Sequence, residues 1–225
     1  MIDVIITCFN EERHIADALR SVLAQTAIDL IDTIFVVDDG STDTTPEVVE
    51  VIAREHPKIL YIRQVNQGVS AARNAGLTAS KRDIVAFLDG DDIWQSSKLE
   101  EQLKILQSHA CDMVYSGFQL LGSDGQLGKV VRPRKLSGSG KKVVTDLYLW
   151  GAPILPSTVV FRRSINGNAQ LFDEDLRQAE DADYWLRYSQ KGRVELCDKP
   201  LVQRRVHENS LSFDIQKYYS FQIPL

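Results

Sequence analysis

The sequence predicts an α/β fold, a Rossmann-like and mostly parallel sheet with helices on both faces, followed by a mixed α/β half. Three observations carry this expectation. Short apolar or β-branched runs alternate with amphipathic helical segments as far as residue 107, the pattern of parallel strands joined by helical crossovers. Polar turns rich in Asp, Asn and Gly follow the strands, so they gather at the one sheet edge where such folds bind ligands. At 225 residues, 44% hydrophobic and 25% charged, the chain also has the length and composition of one globular domain.

The elements follow in order. Residues 4–8 form a short buried strand. Apolar side chains at Ile15, Ala18, Leu19, Val22 and Leu23 have helical spacing, with Asn10 expected as the cap and Glu11 and Glu12 in the first turn against the positive dipole end. A β-branched strand at 33–37 leads through a polar turn at 38–44 to Thr45-Pro46, expected as cap and first helical residue of a helix reaching about Arg54. A third unit has a strand at 59–62, a polar loop at 64–68 and an alanine-rich helix at 70–79. The fourth strand, 84–88, ends in Asp89-Gly90-Asp91-Asp92.

After a helix near 97–107 the alternation becomes irregular. Strands are expected at 113–121, 158–161, 194–197 and 201–206, a turn at Ser123-Asp124-Gly125 and a helix at 181–190. The basic, Gly- and Ser-bearing segment 129–142 is expected to be a mobile loop acting as a lid.

Composition excludes several classes. The 26 Lys and Arg against 31 Asp and Glu leave a net charge of −5, so no global basic field awaits a nucleic acid. Asp3 interrupts the N-terminal apolar residues, which gives no signal peptide, and no run of about 18 apolar residues spans a membrane. Cys8, Cys111 and Cys197 are odd in number and lack a Cys-x-x-Cys pair. Reduced thiols in the cytoplasm are the expectation.

Chemistry concentrates in Leu88-Asp89-Gly90-Asp91-Asp92, three carboxylates within four residues. Such charges repel unless a divalent cation offsets them, although a solvated turn capping the next helix is the other reading. A second acidic turn, Val37-Asp38-Asp39-Gly40-Ser41-Thr42-Asp43, follows strand two. A carboxylate there can accept hydrogen bonds from a nucleobase or ribose, or can simply close the turn with Gly40 at positive φ.

These two turns join Ile6-Thr7-Cys8-Phe9-Asn10-Glu11-Glu12 and Asn66-Gln67-Gly68-Val69-Ser70-Ala71-Ala72-Arg73-Asn74-Ala75-Gly76 in an ordered set that resembles the family 2 glycosyltransferases of GT-A fold. The likeness is dense over 1–118 and sparser beyond, and it implies one domain over 1–225 with a nucleotide-sugar half (1–118) and an acceptor half (119–225). It implies that Thr7, Phe9 and Glu11 border the nucleotide, that Asp39 reads the base with Asp38 beside it, and that Arg73 lies near the diphosphate and sugar. Asp89-Gly90-Asp91 would be the Asp-x-Asp pair for Mn2+ or Mg2+, with Asp91 the direct ligand and Asp92 near the donor sugar. Phe9 as a core aromatic and Arg73 as a helix-surface charge are the alternatives.

In Gln178-Ala179-Glu180-Asp181, resembling the family's Glu-Asp motif, Asp181 would be the acceptor base, or otherwise a charge favoured by a helix dipole. In Arg204-Arg205-Val206-His207, His207 would reach the metal or diphosphate, or otherwise be a surface residue. Gln190-Lys191-Gly192-Arg193-Val194 lacks the Trp of the processive members' Gln-x-x-Arg-Trp motif. Trp94 and Trp185 would border the sugar site or serve as core aromatics.

The resemblance therefore implies an inverting transfer of one sugar from a nucleotide donor, UDP favoured, to a hydroxyl of a glycan or lipid-linked acceptor. The cysteine usage places the chain in the cytoplasm, the locally basic 129–142 segment allows peripheral contact with the inner face of the membrane, and a homodimer is compatible with the sequence. A nucleotidyltransferase is the rival enzyme, but Cys8-Phe9-Asn10-Glu11 offers no Gly-rich phosphate loop after the first strand. A non-catalytic nucleotide- or sugar-binding protein is the rival outside catalysis.

Overall fold

The computed structural model describes residues 1–150, 154–165, 168–176 and 178–206. Its elements are β1 (Ile2–Cys8), α1 (Ile15–Leu23), β2 (Ile31–Asp38), α2 (Thr45–Glu55), β3 (Ile59–Arg63), α3 (Val69–Ala79), β4 (Ile84–Asp89), β5 (Ile93–Trp94), α4 (Lys98–Ser108), β6 (Met113–Leu121), β7 (Leu127–Val131), α5 (Lys141–Trp150), β8 (Val159–Arg162), β9 (Ser164–Ile165), β10 (Asn168–Ala169), α6 (Glu180–Ser189) and β11 (Val194–Arg205). Among the described residues one sheet of nine strands runs β3-β2-β1-β4-β8-β6-β11-β5, with β7 on the side of β6. Its first half is parallel throughout. Thereafter β8 lies antiparallel between β4 and β6, β11 returns parallel to β6, and β5 and β7 pair antiparallel.

Strand alternation divides the core. Val4 and Ile6 join Ile15, Leu19, Val22, Val36, Leu99 and Leu103 on one face, while Ile5 joins Val37, Phe87, Phe161, Tyr184 and Trp185 on the other. Covering both faces is what lets β1 be apolar along its whole length. Helix α3 approaches β1 so closely that a Cβ on Gly76 would collide with the Ile5 side chain. Trp94 and Trp185 are both buried, which settles them as core aromatics.

Several local expectations are corrected. Helix α1 starts at Ile15 because Asn10 takes a left-handed φ of 56° and spends its Oδ1 on the Thr42 amide at 2.8 Å. Thr45 is already helical in α2, and its hydroxyl donates to Asp43 Oδ1 at 2.6 Å. The basic segment is no free lid, since it contains the end of β7 and the start of α5. Between them Leu136 is buried, the Tyr115 hydroxyl donates to the Arg134 carbonyl and accepts from the Leu136 amide, and Gly138 pairs with Val194. The last two expected strands are one, β11, whose register slips around Pro200.

Candidate active site

The register sets Cys8 beside Asp38 and Thr7 beside Asp89, so the ends of β1, β2 and β4 are level. Gly90 then folds back over β1. Its amide donates to the Thr7 carbonyl at 2.8 Å, and a Cβ there would stand 2.9 Å from Cys8 Cβ and 3.0 Å from the Thr7 oxygen. Only glycine fits, and the fit hangs Asp89, Asp91 and Asp92 over the strand edge. Thr7 is buried with its hydroxyl donating to Asp89 Oδ1 at 3.4 Å. It therefore supports a carboxylate at the strand end where a contact with the nucleotide is expected.

A strap from the far end of the chain closes this corner. The Arg205 amide donates to Asp92 Oδ1 at 3.0 Å, Arg205 Nε donates to the Asp91 carbonyl at 3.0 Å, and its Nη2 pairs with Asp17 at 3.5 Å. Ser157 Oγ accepts from the Asp89 amide at 3.0 Å. Asp92 is buried, and burial followed by the charges of Asp91 and Asp89 holds its carboxyl well above the usual range. Glu11 faces the same group: burial, then Asp91, Asp43 and Asp89, push it up to about 8, with Arg205 opposing.

Carboxylates crowded in this way form a donor set suited to a cation. Among the described residues no three His, Cys, Asp or Glu side chains are arranged as an all-protein metal site. Mg2+ commonly takes only one or two carboxylates, with phosphate oxygens and water completing its shell, and Asp91 and Asp89 fit that part. His207 lies outside the described residues.

On the β2 side the two acidic residues divide. Asp38 is fully buried, accepting from the Ser41 amide at 2.8 Å and the Tyr61 hydroxyl at 2.6 Å, so in this structure it holds the turn together. Asp39 accepts from Gln64 Nε2 and the Gln67 amide on Oδ1 and from the Gly68 amide on Oδ2, all within 2.9 Å. It shapes the β3–α3 loop. Gly40 must be glycine at φ 81°, because a Cβ would meet the Asn66 amide at 2.8 Å. Phe9, at 45% exposure, is a ring offered to solvent at the end of β1. The core-aromatic alternative for it is excluded.

Opposite stands the N-terminus of α6. Asp181 is half-buried, and burial, then Glu180, raise its carboxyl to about 6 against the opposing charge of Arg73. Arg73 is itself buried, with Nη2 on Asp89 at 3.0 Å and Nη1 on Glu180 at 2.8 Å. Both of its outer nitrogens pair with carboxylates at a buried position, which corrects the surface-charge alternative. Burial works against its charge, and Asp89 and Glu180 more than offset it. Ala179 precedes the helix at φ 59°, a left-handed backbone that alanine adopts only at a cost of about 1 kcal/mol.

Sequence reasoning missed Arg205 and Ser157 as parts of this site. Arg205 carried a weak signal in Arg204-Arg205-Val206-His207, whereas Pro156-Ser157-Thr158 carried none.

The sequence model described as Glycosyl transferase family 2 matches residues 3–166. Similar proteins include the uncharacterized glycosyltransferase EpsJ of Bacillus subtilis, 29% identical over 222 residues and covering 94% of this chain and 63% of that one. An uncharacterized glycosyltransferase of Rickettsia felis is 30% identical over 96% of this chain and 35% of its own length. The putative teichuronic acid biosynthesis glycosyltransferase TuaG of B. subtilis is 29% identical over 94% and 81%. Against EpsJ and the Rickettsia protein the chain thus spans less than two thirds of the relative's length. The structure of S. aureus TarS 1-349 in complex with UDP-GlcNAc superimposes with a TM-score of 0.75 at 23% identity, over 93% of this chain and 59% of that one.

Proposed function

The chain belongs to glycosyl transferase family 2, and from that membership we propose that it moves one sugar from a UDP-linked donor to a hydroxyl of a glycan or lipid-linked acceptor, with inversion at the anomeric carbon. The observation that carries this reading is the meeting of two unlike acidic groups at one sheet edge. On one side the Glu11, Asp89, Asp91 and Asp92 carboxylates crowd together; on the other stands Asp181, whose carboxyl sits near 6. A solved relative of the same fold in complex with UDP-GlcNAc supports the choice of donor. The name of TuaG supports a polysaccharide acceptor.

In this reading Phe9 offers its exposed ring to the nucleobase, and the loop held by Asp39 borders it. Asp91 and Asp89 would hold Mn2+ or Mg2+, which when bound supplies neutralisation of the charge developing on the departing diphosphate. Gly90 sets the height of those carboxylates above β1. Asp181 Oδ2 or Oδ1 takes the proton of the acceptor hydroxyl as its oxygen attacks the anomeric carbon and the bond to the diphosphate breaks. A base near pH 6 is ionised at neutrality yet still able to hold a proton. No helix among the described residues is long and apolar enough to cross a membrane; placement at the inner membrane face belongs to the proposal.

The test is a thermal-shift series with UDP, GDP, dTDP and CDP, each with and without Mn2+, on wild type and Asp91→Asn. Ligand at 100 times its Kd adds about 2.7 kcal/mol. The expected result is stabilisation by UDP with Mn2+ that Asp91→Asn abolishes; UDP stabilisation identical in the variant would refute the assignment of Asp91.

A further inference from the structure

We propose that Glu180 is a positioning residue for this reaction: acting through Arg73, it fastens the first turn of α6, and Asp181 on it, to the donor-side strand end at Asp89. The inference rests on the glycosyl-transfer reading and names how its two sides are held in register.

The geometry is a single buried guanidinium between two carboxylates from different elements, Asp89 at the end of β4 and Glu180 in the first turn of α6. Arg73 Nη1 meets Glu180 Oε1 at 2.8 Å and Nη2 meets Asp89 Oδ1 at 3.0 Å, while the side chain is only 4% exposed. Among the described residues its Nε has no hydrogen-bond partner, so the two carboxylates are what hold this guanidinium. A planar fork presents its outer nitrogens in fixed directions, one to each carboxylate, where a lysine would offer a single rotatable point charge.

The support around the fork points the same way. Arg73 lies 5.3 Å over the Phe172 ring, Phe172 stacks on Tyr184 at 4.1 Å, and Tyr184 is part of α6. The next residue on α3, Asn74, exchanges two hydrogen bonds with the Phe172 backbone at 2.8 and 3.0 Å and a third with Glu174 at 2.8 Å. Two adjacent residues of α3 thus clamp the approach to α6 and its first turn. The groups facing Asp181 are Glu180 on its own helix, Arg73 from α3 and Asp89 from β4. Because Glu180 is both a tether and a neighbouring negative charge, removing its charge alone has a signature that packing would not give.

Asp181 is observed directly by 13C NMR titration of the full chain labelled at aspartate carboxyls, with Asp181→Asn assigning the resonance. In Glu180→Gln, which keeps the size and an acceptor oxygen, the Asp181 midpoint is expected to fall by about half to one pH unit, since a like charge is gone and Arg73 is shared less. The acid limb of kcat should move with it, kcat should fall about tenfold or more, and donor KM should hold within a few-fold, as misplacement of a base predicts. Glu180→Asp should restore the midpoint. An unchanged midpoint, or a loss that falls wholly in donor KM, overturns the proposal. Should Glu180→Gln not fold, Arg73→Gln, which removes the opposing positive charge, must raise the midpoint instead, and a midpoint that stays put is equally fatal. A shifted midpoint in a protein that transfers no sugar would uphold the bridge and refute the function.

Discussion

Replacing Glu11 by Gln should stabilise the protein, and increasingly so as pH rises. Glu11 sits among Asp91, Asp43 and Asp89, and its pKa rises from 4.5 to about 8 on folding. A carboxyl raised in the folded state favours folding while both states are protonated, below about pH 4.5. That contribution is lost progressively as pH climbs to 8, because the unfolded chain ionises first. At about 1.4 kcal/mol per pH unit the full span corresponds to about 5 kcal/mol. Water reaching a partly exposed carboxyl screens the repulsion and brings the expected value to roughly 2 kcal/mol. Glutamine keeps the shape and cannot ionise. Urea unfolding of both proteins at pH 4.5, 7 and 9, without divalent cations, reads the difference. The two curves should nearly coincide at pH 4.5 and separate by about 2 kcal/mol at pH 9 in favour of the variant. A difference independent of pH, or a variant less stable at pH 9, would refute the crowding argument.

Three further outcomes are expected. Asp181→Asn should lower transfer by about 10² to 10⁴-fold with donor binding retained, and wild-type kcat should rise with pH through about 6 as the carboxyl loses its proton; pH-rate profiles check both. Gly90→Ala drives a methyl against Cys8 Cβ and the Thr7 carbonyl, so chemical unfolding should show a loss of about 1 to 3 kcal/mol and calorimetry a weaker response to UDP with Mn2+. Phe9→Ala removes a ring that is 45% exposed, so stability should hold while UDP binding weakens by about 1 kcal/mol or more by titration calorimetry, the size of a lost stacking contact.

The donor-side half was legible because its signals are local. Apolar runs ending in Asp and Gly mark β1, β2 and β4 as strands whose turns share an edge, and the register bears this out at Thr7, Cys8, Asp38 and Asp89. Side-chain assignments within those turns were less legible, since spacing cannot show which carboxylate faces inward. Asp38 and Asp39 are adjacent, yet one is sealed under Tyr61 and the other organises a loop. The elements missed, β5, β7 and α5, owe their form to tertiary partners: two residues of β5 are a strand only because Val202 and Gln203 lie beside them. Arg205 and Ser157 enter the site from more than sixty residues away, through pairings that no local pattern announces.

The place of β8 has a consequence for how the chain is made. Residues 159–162 fill the gap between β4 and β6, strands that precede β8 by some seventy and forty residues. Until β8 has been synthesised, two strands along the middle of the sheet present bare amide and carbonyl edges, the kind of template on which chains pair with one another. A nascent chain or fragment ending near residue 121 would carry every donor-side carboxylate and yet be prone to aggregate. Closure must await a contact of long sequence separation, which makes it a slow step. Chaperone demand during synthesis should therefore be greatest before that four-residue strand emerges and should drop once it docks.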